Sequence, residues 1–250
     1  MISYRTLIIK TLSLMGVKFK FKNVYGARMV FYRGFGAEYF MKNGELGTLT
    51  FIRDNLKEGQ VFVDVGAYVG FFSIFASKIV GKNGKVLAFE PNPQAHKILL
   101  ENIKLNRCDN ISVFNIALGS VEGFSFLHIP KGRSKSEATV LNVEKGVKVA
   151  VKPLDSILKG IDIKGVDMVK IDVEGWENEV LKGMKETLRG YRPILIVEKG
   201  PLFIIGYDYL ISLGYRPFKF SINKNFPSQI VEIKNYEEVP LYDNIIFLPR

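Results

Sequence analysis

The sequence predicts an α/β domain with a mostly parallel sheet covered by helices on both faces. Two observations carry this. From Val61 onward, short apolar runs alternate with segments of helical spacing, the pattern of repeated β-α units. The runs themselves lack the in-out alternation of a half-exposed strand, as strands buried on both faces require. With 250 residues, the chain can hold one domain with a full core and a modest extension.

Composition narrows the classes. Hydrophobic residues make up 47% and charged residues 24%, ordinary for a folded soluble protein. The single cysteine, Cys108, excludes an intrachain disulfide and a thiolate metal cage, and it suits a reducing, cytoplasmic setting. It falls in the polar turn Asn106-Arg107-Cys108-Asp109-Asn110, as an incidental thiol. The net charge of +10 fits either solvated lysines or an anionic partner such as nucleic acid. It is concentrated only at Lys18–Lys22 and Lys131–Lys135, stretches too short for a dedicated basic tract. No run of about 18 apolar residues offers a transmembrane helix. Met1–Gly16 is apolar but interrupted by Arg5 and Lys10. No small-residue cleavage site follows it, so an amphipathic helix packed on the domain or resting on a membrane surface is expected.

Residues 1–58 are expected to form an extension. A helical stretch leads to a hairpin of Val17–Val24 and Ala27–Tyr32, closing near Tyr25-Gly26. Gly34, Gly36, Gly44 and Gly47 punctuate a loop before a helix over Leu46–Leu56, which ends at Gly59. Residues 59–250 form the main domain. Val61–Val65 is a strand, Phe71–Val80 a helix stopped by Gly81-Lys82-Asn83-Gly84, and Val86–Phe89 a second strand. Pro91-Asn92-Pro93 opens a helix whose stripe is Ala95, Ile98, Leu99 and Ile103. Ile111–Ile116 is the third strand. An insertion over about 120–152 follows, with strands Phe124–Ile129 and Val147–Val151 around the basic loop Lys131–Thr139. The alternation resumes with strand Val166–Ile171 and one helix through Trp176, Val180, Leu181, Met184 and Leu188. Strand Ile194–Val197, helix Tyr207–Leu213 and terminal strand Ile245–Leu248 complete it.

Ligands of an open parallel sheet bind at the carboxyl ends of its strands. Those ends carry Asp64, Glu90, Asn115, Asp172 and Glu198, four acids on a basic chain. The first strand leads into Asp64-Val65-Gly66-Ala67-Tyr68-Val69-Gly70, with glycines where the backbone must turn and lie close to a ligand. Glu90 stands 20 residues after Gly70, placed to accept from both ribose hydroxyls of a nucleoside. A dinucleotide site would carry the tighter G-x-G-x-x-G. An acid at Asp64 would repel a pyrophosphate, yet it suits a ligand with an amino-acid moiety and a sulfonium. S-adenosylmethionine is therefore the expected cofactor.

The segments VFVDVGAYVGFFSIFA, FEPNPQ, NIALGS, VKPLDSIL, VKIDVEGWENEVLKG and ILIVE stand in the order found in FkbM-type methyltransferases, which the chain resembles over about residues 45–200. The resemblance implies a class I, Rossmann-like methyltransferase with a mostly parallel seven-stranded sheet, S-adenosylmethionine dependence and O-methylation of a sugar or small molecule. It places Asp64, Gly66, Ala67, Tyr68 and Gly70 in the cofactor loop and Glu90, Pro91 and Asn92 at the ribose. Asn115 and Ala117 fall beside the adenine. Family members commonly carry Asn at the third position after Gly66, where this chain has Tyr68-Val69.

Asp172-Val173-Glu174-Gly175-Trp176-Glu177 ends the fourth strand, where cofactor and acceptor should meet. Asp172 is expected both among the cofactor-binding residues and as the first candidate for general base, with Glu174 and Glu198 next. Glu177 equally suits the positive end of the following helix. No sequence motif supports a metal. Only convergence of Asp172, Glu174 and Glu198 would make room for a hard cation such as Mg²⁺. His96 is expected on a solvated helix face, and His128 at the end of an insertion strand could face the acceptor. Phe71, Phe72 and Trp176 fit the core. An RNA methyltransferase is the second reading, carried by the charge and by KGRSK. The Asp-Val-Glu-Gly block counts against amino-methylating enzymes, which carry an Asn/Asp-Pro-Pro-aromatic motif there. A binding module without catalysis is the third reading, and the intact Asp64, Glu90 and Asp172 argue against it. The acceptor would contact the 58-residue extension and the insertion.

Overall fold

A computed structural model describes residues 19–22, 27–31, 45–129, 139–141, 146–221 and 229–250. The expected N-terminal helix of Met1–Gly16, the hairpin turn Tyr25-Gly26, the loop at Gly34–Gly44 and most of Lys131–Thr139 lie outside them. Strands β1 (Phe19–Lys22) and β2 (Arg28–Phe31) pair antiparallel, with Phe19 opposite Phe31, and helix α1 spans Glu45–Asn55.

The domain then follows the predicted rhythm. It runs through β3 (Val61–Val65), α2 (Phe71–Val80), β4 (Lys85–Phe89), α3 (Pro93–Asn106) and β5 (Ile111–Phe114). All five residues of β3 are buried, which is why its sequence shows no alternation. Helix α2 starts from Gly70 and stops at Gly81, both at positive φ. Helix α3 is capped by Asn92, whose side chain accepts from the Gln94 N–H at 3.0 Å, with Pro93 in the first turn.

The insertion is a separate four-stranded sheet of β6 (Ala117–Leu118), β7 (Gly123–His128), β8 (Thr139–Leu141) and β9 (Val147–Lys152), in the order β6-β9-β7-β8. The sequence shows two of these strands; β6 and β8, at two and three residues, are too short to display a period. Helix α4 (Leu154–Leu158) returns the chain to β10 (Met168–Ile171).

The single helix expected after β10 is two helices, α5 (Glu177–Lys182) and α6 (Lys185–Gly190). The break has a cause in tertiary contact. A Cβ at Gly183 would run into the carbonyl oxygen of Gly119, so glycine lets the chain pass close to the insertion. Asp155 then starts α6 afresh, accepting from the Glu186 and Thr187 N–H groups at 2.8 and 2.9 Å.

The chain ends with β11 (Ile194–Glu198), α7 (Ile204–Ser212), β12 (Tyr215–Phe220), β13 (Ile230–Glu232) and β14 (Asn244–Pro249). The main sheet has the order β13-β12-β14-β11-β10-β3-β4-β5. Strands β5, β4, β3, β10 and β11 are parallel, and β14 runs against β11. The sheet is thus eight-stranded and mixed, not seven-stranded: β13 adds an edge through Phe218↔Glu232 and Phe220↔Ile230.

One core cluster joins Val63, Val65, Val169, Ile171 and Val197 to Leu181, Leu188 and Leu210 of the later helices. The other joins Phe62, Met168, Ile196 and Ile246 to α1, α2, α3 and Met29 of β2. Period two therefore sends Asp64, Lys170, Asp172, Glu198 and Asn244 to the face that α1 and α2 cover. Among the described residues no helix is long and apolar enough to cross a membrane. Cys108 is buried in the second cluster and not in an open turn, and burial pushes its thiol pKa up.

Candidate active site

Strand order reverses between β3 and β10: the chain winds from β3 out to β5, then returns to β10 and continues to β11. The carboxyl ends of β3 and β10 therefore frame the crevice where α/β sheets bind ligands. The loop from Asp64 to Gly70 leaves one side, and Asp172 stands on the other.

The loop is held from beneath. Gly66 and Ala67 N–H groups both donate to the Phe89 carbonyl at 3.0 Å, and Gly70 N–H donates to the Ala67 carbonyl at 2.8 Å. Gly66, Tyr68 and Gly70 have φ of 82°, 49° and 89°. A Cβ on Gly66 would collide with the Asp172 backbone carbonyl, so only glycine lets the two sides of the crevice close this tightly.

Glu90 is buried at the end of β4. Its Oε2 accepts from Tyr68 N–H at 2.7 Å and its Oε1 from Asn92 N–H at 2.8 Å. Burial pushes its pKa up to about 7 despite those donors. Asn115 does not face the loop with its amide: it donates to the Glu90 and Pro91 carbonyls at 2.7 and 3.1 Å and fixes the turn after β4. Asn92 spends its side-chain oxygen on the α3 cap, Pro91 is half-buried between them, and Ala117 is buried in β6.

Asp64 is 1% exposed. Its Oδ2 accepts from Ser73 Oγ at 2.5 Å, and its Oδ1 is buried with no partner among the described residues. Burial raises its pKa, opposed by Lys170 and by the Ser73 hydroxyl. A buried carboxylate oxygen with nothing to accept from, opening a glycine loop, fits a cationic amine or sulfonium ligand. The residues present therefore suit S-adenosylmethionine.

Asp172, Glu174 and Glu198 do converge, offering oxygens all within 4.8 Å of one another. Sequence reasoning missed the group at their centre. Lys170 is 1% exposed, and its Nζ lies 2.7 Å from Asp172 Oδ2 and 4.5 Å over the Phe72 ring. Its signal was a lysine inside the otherwise apolar Met168–Ile171, where every residue is buried. Glu198 is pushed up to about 10, by burial first and then by Asp172 and Glu174, so it holds a proton at neutral pH. The Lys170 ammonium places a positive charge beside this carboxylate cluster.

Glu177 is buried and accepts from Gly175 N–H at 2.8 Å, bracing the turn in which Glu174 and Gly175 have φ of 53° and 102°. It takes the structural role at the helix start. Trp176 is half-buried and donates from Nε1 to the Leu118 carbonyl at 3.1 Å, tying this turn to the insertion. Phe71 and Phe72 are buried. His128 ends β7 opposite Thr139. His96 is half-buried on α3, and burial lowers its pKa.

The model of the FkbM methyltransferase domain matches residues 64–217, more than half of the chain. The hexuronic acid methyltransferase AglP of Haloferax volcanii is 27% identical over 154 residues, covering 61% of this chain and 62% of that protein. The human tRNA (guanine(37)-N(1))-methyltransferase is 34% identical over 119 residues, covering 47% of this chain and 21% of that protein. The chain thus spans under two thirds of either relative. In fold it is similar to the crystal structure of an FkbM methyltransferase from Methylobacillus flagellatus, with a TM-score of 0.52 and 18% identity over 75% of this chain and 43% of that one. Glycine loop, strand order and domain match agree, and the chain belongs to the FkbM family of S-adenosylmethionine-dependent methyltransferases.

Proposed function

We propose that the protein methylates a hydroxyl group of a sugar or other small-molecule acceptor. The observation that carries this reading is the place of Asp172, across the crevice from the glycine loop, ion-paired to Lys170 at 2.7 Å and ringed by Glu174 and Glu198. The similarity to a hexuronic acid methyltransferase supports a sugar-like acceptor.

S-adenosylmethionine, when bound, supplies an electrophilic methyl group on sulfonium. Asp64 and the Gly66–Gly70 loop would bind it, with Glu90 at the ribose, Ala67 and Tyr68 in the loop, and Pro91, Asn92, Asn115 and Ala117 shaping the far wall. Asp172 accepts the proton of the acceptor hydroxyl, while Glu198, already protonated, donates to the acceptor or to Asp172. Holding the two reactants in line supplies much of the rate. The acceptor would be bound from the side of the N-terminal extension and of the insertion at about 120–152, and the lone cysteine agrees with a reducing compartment.

The test has two arms. S-adenosylmethionine at about 100 times its dissociation constant should stabilise the protein by roughly 2.7 kcal/mol, and NAD should not. With neutral sugars as acceptors, Asp172→Asn should cut methyl transfer at least a hundredfold and leave affinity for S-adenosylhomocysteine within about threefold. Methylation of tRNA, with affinity that falls steeply in salt, would replace this reading with RNA modification.

A further inference from the structure

Four charged groups from three adjacent strands meet on the sheet face beneath α2. Lys170 stands opposite Asp64 in the β3–β10 register and opposite Ile196 in the β10–β11 register, two residues before Glu198. Asp172 follows Lys170 by two residues and points to the same side. The ammonium of Lys170 is paired with Asp172, and it lowers the pKa of both Asp64 and Glu198 against their burial. The Phe72 ring packs against it, 4.5 Å from the ammonium nitrogen. A buried ammonium of this kind is retained at a cost in desolvation; the apolar strand around it gives no packing reason for a lysine.

We propose that Lys170 is a positioning residue that joins the two halves of the site, holding Asp172 in place on the acceptor side and the charge of Asp64 on the cofactor side. The inference rests on the methyl-transfer reading for the role of Asp172, but its cofactor arm does not. With Lys170 removed, the buried Asp64 and the partly buried Asp172 become neighbouring carboxylates without their shared cation. The cofactor-side acid is then less able to stay charged for a cationic ligand, although Lys170 itself lies beneath the loop.

The experiment compares Lys170→Met, Lys170→Arg and the double variant Lys170→Met/Asp172→Asn, using melting temperature and calorimetric affinity for S-adenosylmethionine and S-adenosylhomocysteine. Lys170→Met should weaken S-adenosylmethionine binding about tenfold or more, and Lys170→Arg should restore it to within about threefold. The double variant should regain thermal stability, because Asp172 no longer brings a negative charge to the place the ammonium left, yet keep the weakened affinity, because Asp64 still lacks its cation. If the double variant folds and binds S-adenosylmethionine as the wild type does, Lys170 is only structural and the proposal fails. It also fails if Arg and Met behave alike. Failure of the acceptor reading looks different: Asp172→Asn would keep full turnover while the affinity loss in Lys170→Met persisted.

Discussion

Tyr68 and Glu90 lock the glycine loop to the neighbouring strand: the Tyr68 N–H donates to Glu90 Oε2 at 2.7 Å, with Tyr68 at φ 49°. A tyrosine in the left-handed region costs about 1 kcal/mol or more, so this hydrogen bond helps hold a backbone shape the residue would not choose. The other oxygen of Glu90 takes Asn92 N–H at 2.8 Å. Both carboxylate oxygens thus work as acceptors for backbone donors while each keeps a lone pair for a ligand hydroxyl.

Glu90→Gln tests this arrangement. An amide has one oxygen, so its NH₂ must face either the Tyr68 or the Asn92 N–H, donor against donor. The loop should open, and affinity for S-adenosylhomocysteine should fall at least tenfold, about 1.4 kcal/mol. Titration calorimetry reads this directly. Unchanged affinity would mean that the carboxylate does not shape the cofactor loop.

The same burial makes the stability of the ligand-free protein depend on pH. Glu90 and Glu198 have folded pKa values of about 7 and about 10, both above their ordinary 4.5. Each binds its proton more tightly when folded, so its contribution is complete below pH 4.5 and is lost as pH rises through the folded value. For Glu90 the loss is on the order of 3 kcal/mol between pH 4.5 and 7. Denaturant unfolding at pH 5, 7 and 9 should show falling stability at each step. Glu90→Gln should roughly halve the fall from pH 5 to pH 7, to which Glu198 also contributes, and Glu198→Gln should reduce the fall across both steps. A rise from pH 5 to pH 9 in the wild type would contradict the burial of both acids.

The two loop glycines should differ in tolerance. Both have positive φ, but a Cβ on Gly66 meets the Asp172 backbone carbonyl, whereas a Cβ on Gly70 meets only the Cδ1 end of Leu99. A side-chain tip can rotate aside; a strand-end carbonyl cannot move without shifting β10. Gly70→Ala should cost about 1–2 kcal/mol, mainly the left-handed backbone. Gly66→Ala should cost more than 3 kcal/mol, or yield no folded protein. Equal melting temperatures for the two variants would show that the crevice closes less tightly than described.

Much of this was legible in the sequence because local rules and tertiary demands agree in the first half of the domain. Val61–Val65 and Phe71–Val80 have the bounds that burial and glycine punctuation predict. The misses come where tertiary contact decides. Tyr215–Phe220 holds Pro217 directly after Arg216 and reads as no strand; it forms because β14 pairs along its length. The helix break at Gly183 is set by a carbonyl 64 residues earlier in the chain. For the site, Asp64, Glu90 and Asp172 were visible as acids ending strands. Lys170, which faces Asp64 and pairs with Asp172, was not, since only the strand register turns a lysine in an apolar run into part of a charge cluster.

Asn102 gives the last prediction, and it concerns the N-terminal hairpin. Fully buried on α3, its Oδ1 accepts from Val30 N–H at 2.7 Å and its Nδ2 donates to the Val69 carbonyl at 2.9 Å. One side chain therefore clips β2 to the glycine loop. Neighbouring Asn106 adds Arg28 N–H at 2.8 Å and the Arg28 carbonyl at 2.6 Å, so β2 docks on α3 through asparagine amides instead of through a strand partner from the main sheet. Asn102→Leu keeps the branched shape but leaves the Val30 N–H and the Val69 carbonyl without this partner, at about 1–3 kcal/mol for each group left unpaired. The Val30 amide should exchange with solvent at least tenfold faster than in the wild type, while amides of β3 and β10 keep their protection. Because Val69 belongs to the cofactor loop, S-adenosylhomocysteine should slow exchange at Val30 in the wild type and fail to do so in Asn102→Leu. Equal protection of Val30 by ligand in both proteins would show that the hairpin and the loop are not coupled through this residue.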